Sequence, residues 1–136
     1  RSDGPSPIRL SVEIGELFPA CRTVSGRLLL AQLEPGRLIE ELAQDPAYRS
    51  MRATQRRALG KKLQHIRASG CSVAENETIL GVRDVAVLVG NPRIDVMAAL
   101  AIPSLTTTLS NTRHARVLEA LHHYARQITK TIGLSP

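Results

Sequence analysis

Three of the four histidines and two glutamates of this 136-residue chain lie close enough in sequence for metal binding or acid–base catalysis to be considered. His114, His122 and His123 lie in one predicted helix, but adjacent helical residues point about 100° apart and no second ligand follows four residues after any of them. Glu75 and Glu77 stand in a polar stretch that is typical of a solvated turn. The chain also lacks the G-x-S-x-G, H-E-x-x-H and phosphate-loop patterns. The sequence therefore predicts neither an enzyme nor a metal protein, and no cofactor.

The cysteine content and the absence of long apolar runs indicate the compartment. Cys21 and Cys71 are too few for a disulfide framework, and we expect both to be small buried thiols. No segment approaches the roughly 18 consecutive apolar residues of a membrane helix, and the N-terminal residues include no apolar signal segment. We expect a soluble, cytoplasmic protein without a membrane partner.

The chain is basic, with 18 Lys and Arg against 12 Asp and Glu and a net charge of +6. The cationic residues cluster in residues 49–67, where they alternate with a helical apolar stripe. This pattern favours a solvated helix face over a DNA-binding surface. Only three aromatic residues occur, so a base-stacking surface for single strands is not predicted.

Asp84 stands out because it lies in the most apolar stretch of the chain, residues 82–102. Burying a carboxylate without a partner is unfavourable and raises its pKa. Asp84 therefore needs either a cationic partner in the protein or a polar ligand.

Hydrophobic periodicity and turn residues define the elements that position these side chains. Helices and strands alternate in an order that predicts an α+β fold with an antiparallel sheet in a single domain. The predicted elements are a strand at 8–14, a short helix beginning at Thr23 or Ser25, a helix at 35–44, a loop at 45–54, a helix from Thr54 to Gly70, a strand at 71–73, a hairpin around residues 90–95 and a helix at 111–132 with Val117, Leu118, Leu121, Ala125, Ile128 and Ile132 on its buried face.

The hairpin has one bulky face and one face of small residues. Pairing Val89 with Val96 across a six-residue loop places Asp84 opposite Ala101. The bulky face, predicted to be core, holds Val85, Val87, Val89, Val96, Ala98, Leu100 and Ile102. The other holds Val82, Asp84, Ala86, Leu88, Met97, Ala99, Ala101 and Pro103. Two readings of the second face stay open: a helix lies close over the alanines while Asp84 pairs with Arg9, Arg22 or Arg27, or a ligand occupies a cavity anchored by Asp84.

Four segments, in order from about Pro7 to Gly133, resemble one family. They are "IGELFPACRTVSGRLLLAQL", "LQHIRASGCSVAENETILGVRDVAVLV", "RIDVMAALAIPS" and "ITKTIG". Together they are similar to the C-terminal effector-binding domain of bacterial isocitrate lyase regulator (IclR) type transcription factors.

The resemblance implies a GAF/profilin-like antiparallel sheet flanked by helices, which is here expected to lack its first strands. It also implies a small organic effector, a homodimer or homotetramer, and operator binding through an N-terminal winged helix-turn-helix that this chain does not contain. Residues 1–136 are thus expected to be one effector-binding domain, a C-terminal fragment that modulates operator binding by the full-length oligomer. The alternative is a stand-alone or degenerate binding or oligomerisation domain without a regulatory ligand.

The resemblance also assigns effector-pocket positions. They are Leu10, Phe18, Val24, Ser25, Val82, Asp84, Ala101 and Pro103. At Val24 and Ser25, backbone N–H groups at a helix start are expected to be able to meet an anionic ligand.

Four positions depart from the family pattern. Asp84 replaces a frequent cysteine, Ala101 and Pro103 replace serines, and Ala74 replaces an acid. The pocket has thus lost hydroxyl donors and gained a carboxylate, which would repel a carboxylate effector. We expect a larger, more apolar effector with a hydroxyl, amide or amine near Asp84.

Overall fold

A computed structural model describes residues 13–94, 96–107 and 110–134 of the chain. The elements in order are a 3-10 turn at Ala20–Arg22, helices α1 (Val24–Leu30), α2 (Pro35–Gln44), α3 (Pro46–Arg49) and α4 (Ala53–Ser69), strands β1 (Cys71–Glu75) and β2 (Val82–Asn91), a 3-10 turn at Pro92–Ile94, strand β3 (Val96–Leu105) and helix α5 (Asn111–Thr131). The strands form an antiparallel sheet in the order β1-β2-β3. This confirms the predicted α+β class. Most of the predicted strand at 8–14 lies outside the described residues.

The helix ends follow local capping chemistry. The Thr23 side chain accepts a hydrogen bond from the Gly26 amide at 3.0 Å and begins α1, as predicted. Helix α4 ends at Gly70, whose φ of 68° lies in the left-handed region. The predicted cap at Thr54 was wrong, because α4 begins at Ala53 and the Gln55 side chain accepts from the Arg52 amide at 2.8 Å.

The predicted loop at 45–54 was wrong in its first half, where α3 forms. The Asp45 carboxylate accepts from the Ala47 amide at 2.8 Å, and Pro46 occupies the first helical position. This helix has only four residues, too few for a periodic apolar pattern, so its start signal is its only sequence mark.

The predicted hairpin register was wrong by two residues. Asp84 lies opposite Pro103, and Ala86 lies opposite Ala101. The strands continue to the Asn91–Val96 pair and are joined by residues 92–95. Gly90 permits this extension, because its φ is 99° and a Cβ there would lie 2.2 Å from the Val96 carbonyl oxygen. An even shift leaves every side chain on its predicted face.

Helices cover both faces of the sheet. On one face Val85, Val87 and Val89 pack against Leu121 and Ala125 of α5. On the other face, α1 and α4 form a second core, which includes Leu28, Leu59, Leu63, Ile66, Ala74 and Ala86. No helix among the described residues is long and apolar enough to cross a membrane.

Two predicted core positions of α5 and part of the β3 face are exposed. Ile128 and Ile132 are 40% and 54% exposed, whereas Thr129 is buried. The Thr129 hydroxyl accepts from the Gly90 amide at 2.9 Å and donates to the Ala125 carbonyl at 2.8 Å, which makes its burial favourable. On β3, Val96 and Ile102 are also exposed, because α5 lies mainly over β2.

Candidate functional site

A cavity of about 220 Å³ lies between the start of α1 and the small-residue face of β2 and β3. It is lined by Phe18, Thr23, Val24, Ser25, Thr78, Ile79, Val82, Asp84, Ala101 and Pro103. Seven of the eight positions assigned from the sequence are among them. The eighth, Leu10, lies outside the described residues.

The seven predicted side chains come from four separate segments. Strand β2 contributes Val82 and Asp84, and β3 contributes Ala101 and Pro103. The start of α1 contributes Val24 and Ser25, and the preceding segment contributes Phe18. The antiparallel pairing of Asp84 with Pro103 places the carboxylate beside the small residues of β3.

Three further residues that line the cavity were not predicted from the sequence: Thr23, Thr78 and Ile79. Thr23 is the cap of α1, so its position beside Val24 was available from the sequence. Thr78 and Ile79 lie in the β1–β2 connection, which carries no periodic pattern. Asn76 shapes this connection: its φ is 59°, its side-chain oxygen accepts from the Gly81 amide at 2.7 Å, and its amide donates to the Val82 carbonyl at 2.9 Å.

The small-residue face is divided between a helix and the cavity. Ala74 and Ala86 pack in the core beneath α1 and α4, as the first reading of this face required. At Asp84, Ala101 and Pro103 the face opens into the cavity instead. Each of the two readings therefore describes one part of the face.

Asp84 has no cationic partner within 4 Å among the residues that the structure describes. The predicted pairing with Arg27 was wrong: Arg27 Nη2 lies 2.6 Å from Oε2 of Glu77, and Lys62 Nζ lies 3.0 Å from Oε1 of the same carboxylate. Arg22 is exposed and forms no ion pair with Asp84, and Arg9 lies outside the described ranges. Glu77 thus takes the cations that could have neutralised Asp84.

The pKa values of Asp84 and Glu77 are shifted in opposite directions. Burial raises the pKa of Asp84, and the charge of Glu77 raises it further, against a hydrogen bond from Thr78 and the charge of Arg27. Burial also acts to raise the pKa of Glu77, but hydrogen bonds from Lys62 and Arg27 lower it overall. At neutral pH Glu77 is an ionised structural group, whereas burial disfavours the charged form of Asp84, which faces the cavity.

Neither Cys21 nor Cys71 is an activated thiolate. Burial raises the pKa of Cys21 to about 11, and burial also raises the pKa of the half-buried Cys71, so both are thiols at neutral pH. In the described part of the chain, no three His, Cys, Asp or Glu side chains come together in a way that could hold a metal ion. The cavity therefore offers binding, through one carboxylate, three hydroxyls and an apolar lining.

Comparison with known proteins identifies the family of the chain. The family model described as "Bacterial transcriptional regulator IclR C-terminal" matches residues 1–130. The HTH-type transcriptional regulator XynR of Escherichia coli K12 is 30% identical over 122 residues, which cover 88% of this chain and 48% of XynR. The chain thus spans about half the length of this curated relative.

Two solved structures share the fold. An IclR transcriptional regulator from Alicyclobacillus acidocaldarius is 26% identical with a TM-score of 0.75, covering 96% of this chain and 51% of that one. The inducer-binding domain of PobR from Acinetobacter, solved as a double mutant with 3-hydroxybenzoic acid, is also 26% identical, with a TM-score of 0.71 and coverage of 94% and 77%. The resemblance drawn from the sequence is confirmed, and the chain belongs to the IclR family of bacterial transcriptional regulators, within their C-terminal domain.

Proposed function

We propose that this chain is the effector-sensing domain of a bacterial transcription regulator and that the cavity between α1 and β2–β3 binds the effector. The observation that carries the proposal is the convergence of seven sequence-assigned residues, from four separate segments, on one cavity. Concave sites that are mostly apolar and carry a few polar groups are typical of small-molecule binding. Family membership and the inducer-bound PobR domain support the same function.

The proposed response is a shift in population. Thr78 and Ile79 line the cavity, and the adjacent Glu77 joins α1 to α4 through Arg27 and Lys62. An effector that favours one position of this connection would therefore bias the packing of two helices. In a longer cytoplasmic protein with a DNA-binding domain, that bias would alter operator binding by a dimer or tetramer.

A thermal-shift screen of aromatic and aliphatic metabolites with the purified chain tests the proposal. Compounds that bind should raise the melting temperature, and the rise should grow with the logarithm of the ligand concentration once it exceeds the dissociation constant. Ala101→Phe places a bulky side chain in the cavity and should abolish the shift. Ala98→Phe is the matched control, because Ala98 lies on the opposite face of the same strand. The proposal fails if no metabolite shifts the melting temperature. It also fails if the ligand-induced shifts are as large in Ala101→Phe as in the control Ala98→Phe.

A further inference from the structure

The charge of the cavity lining restricts the class of ligand. Its ten described residues include one ionisable side chain, Asp84, and no lysine, arginine or histidine. Thr23, Ser25 and Thr78 add hydroxyl groups, and the remaining residues are apolar. An anionic ligand would find no cation in this lining and would face a carboxylate.

The nearest candidate cation is held elsewhere. Arg27 is 4% exposed, its Nη2 pairs with Glu77 at 2.6 Å and its Nη1 donates to the Cys21 carbonyl at 3.4 Å. Moving Arg27 to Asp84 would leave Glu77 with Lys62 alone and would remove a buried hydrogen bond. The protein therefore does not neutralise Asp84 with this side chain.

The position of Asp84 is fixed from two sides. Its backbone is held in the central strand between Ala74 of β1 and Pro103 of β3, and Thr78 lies near enough to act on the pKa of its carboxyl group. A carboxylate held in this way is oriented before a ligand arrives, which reduces the entropic cost of binding.

We propose that the cavity takes a compact organic amine whose ammonium group pairs with Asp84 and whose apolar part packs against Phe18, Ile79 and Pro103. The inference rests on the proposed function, since it concerns the ligand of the same cavity. The volume of about 220 Å³ is below the roughly 300–1,000 Å³ of drug-sized sites, so one ring or a short aliphatic chain fits better than the larger effector expected from the sequence. Asp84 is the specificity-determining residue, because a charge-assisted hydrogen bond to ammonium restores the interactions that the carboxylate lost on burial.

Three matched ligand series test this inference by calorimetry at pH 7. Each series carries butyl, cyclohexyl and benzyl groups, bearing an ammonium, a hydroxyl or a carboxylate. We expect the amines to bind most tightly and Asp84→Asn to weaken them about tenfold to hundredfold, the range for losing a hydrogen bond to a charged group. Glu75→Gln is the control, because Glu75 pairs with Arg83 outside the cavity and its loss should leave amine binding unchanged.

The outcomes separate this inference from the proposed function. Carboxylates or alcohols that bind as tightly as amines, with affinity lost in Ala101→Phe but not in Asp84→Asn, would overturn the inference and leave the sensing function standing. Amines that bind equally to the wild type and to Asp84→Asn would do the same. If no compound of any series binds, the inference fails, and the proposed function is then decided by the metabolite screen and the Ala101→Phe variant.

Discussion

At the scale of single residues, the proposed choice of ligand depends on Asp84. Burial and the charge of Glu77 raise the pKa of this residue in the folded chain. The unfolded chain then releases this proton at a lower pH than the folded chain does, so ionisation destabilises the fold as pH rises through the window between the two values. Asp84→Asn should therefore raise the melting temperature of the ligand-free chain at pH 7. The gain should vanish at a pH below the ordinary carboxyl range of about 4, where both states are protonated.

Melting temperatures of the wild type and Asp84→Asn, measured from pH 3 to pH 8, check this prediction. A loss of stability in the variant at pH 7 would mean that Asp84 is a paired structural acid rather than a ligand anchor. A residue whose neutralisation stabilises the fold but removes binding is typical of a functional site.

The strand residues of the site could be predicted from the strand period, whereas Phe18, Val24 and Ser25 were implied by the family resemblance. Alternation placed Asp84, Ala101 and Pro103 on one face, and an even register error does not change a face. Thr78 and Ile79 could not be predicted, because their position depends on the conformation of Asn76 rather than on any repeat. The partner of Arg27 could not be predicted either, since several acids were equally available in the sequence.

At the scale of elements, Gly26 sets the distance between α1 and the preceding 3-10 turn. A Cβ at Gly26 would lie 2.2 Å from the Ala20 carbonyl oxygen, so one of the two segments would have to move. We expect Gly26→Ala to cost about 1–3 kcal/mol of unfolding free energy, as overpacked sites do. Gly60→Ala, in the middle of α4 with nothing within 4 Å, should instead stabilise by about 0.5–1 kcal/mol. Urea unfolding of both variants gives the comparison, and equal effects would show that the approach at Gly26 is not tight.

The ion pairs of Glu77 connect α1, the β1–β2 connection and α4. Glu77→Gln would leave the buried Arg27 without its charged partner. The expected loss is about 1–3 kcal/mol, less than for a fully buried pair because solvent reaches Glu77. Glu34→Gln is the control, since Glu34 and Arg67 are both exposed and 3.8 Å apart. If the two variants unfold at the same urea concentration, Glu77 does not join the helices.

The elements differ in how well the sequence predicts them. The long helices α2, α4 and α5 were predicted because their apolar residues repeat with the helical period. Helix α3 was missed because it is shorter than that period can reveal. The buried face of α5 was misplaced at Ile128 and Ile132, because the buried row continues from Leu121 and Ala125 to Thr129, a polar residue that the apolar pattern does not mark as core.

At the scale of the whole molecule, one sheet face is divided between a packed core and the cavity that we propose as the binding site. Helices α1 and α4 cover Ala74 and Ala86, and the remaining part of the face stays open at Asp84, Ala101 and Pro103. The opposite face is filled by α5 and bulky valines. The face that packs against α5 thus contributes to stability, and the uncovered part of the other face forms the proposed binding cavity.

Methyl chemical-shift mapping by NMR on titration with benzylamine is the most direct test of ligand binding in the cavity. The methyl resonances of Val24, Ile79, Val82 and Ala101 should shift together, with one dissociation constant. Those of Val85, Val87 and Val89, on the opposite face, should stay in place. Binding in the cavity would be contradicted by shifts centred on Val85, Val87 and Val89, or by the absence of a shift at Ala101 while the ligand binds.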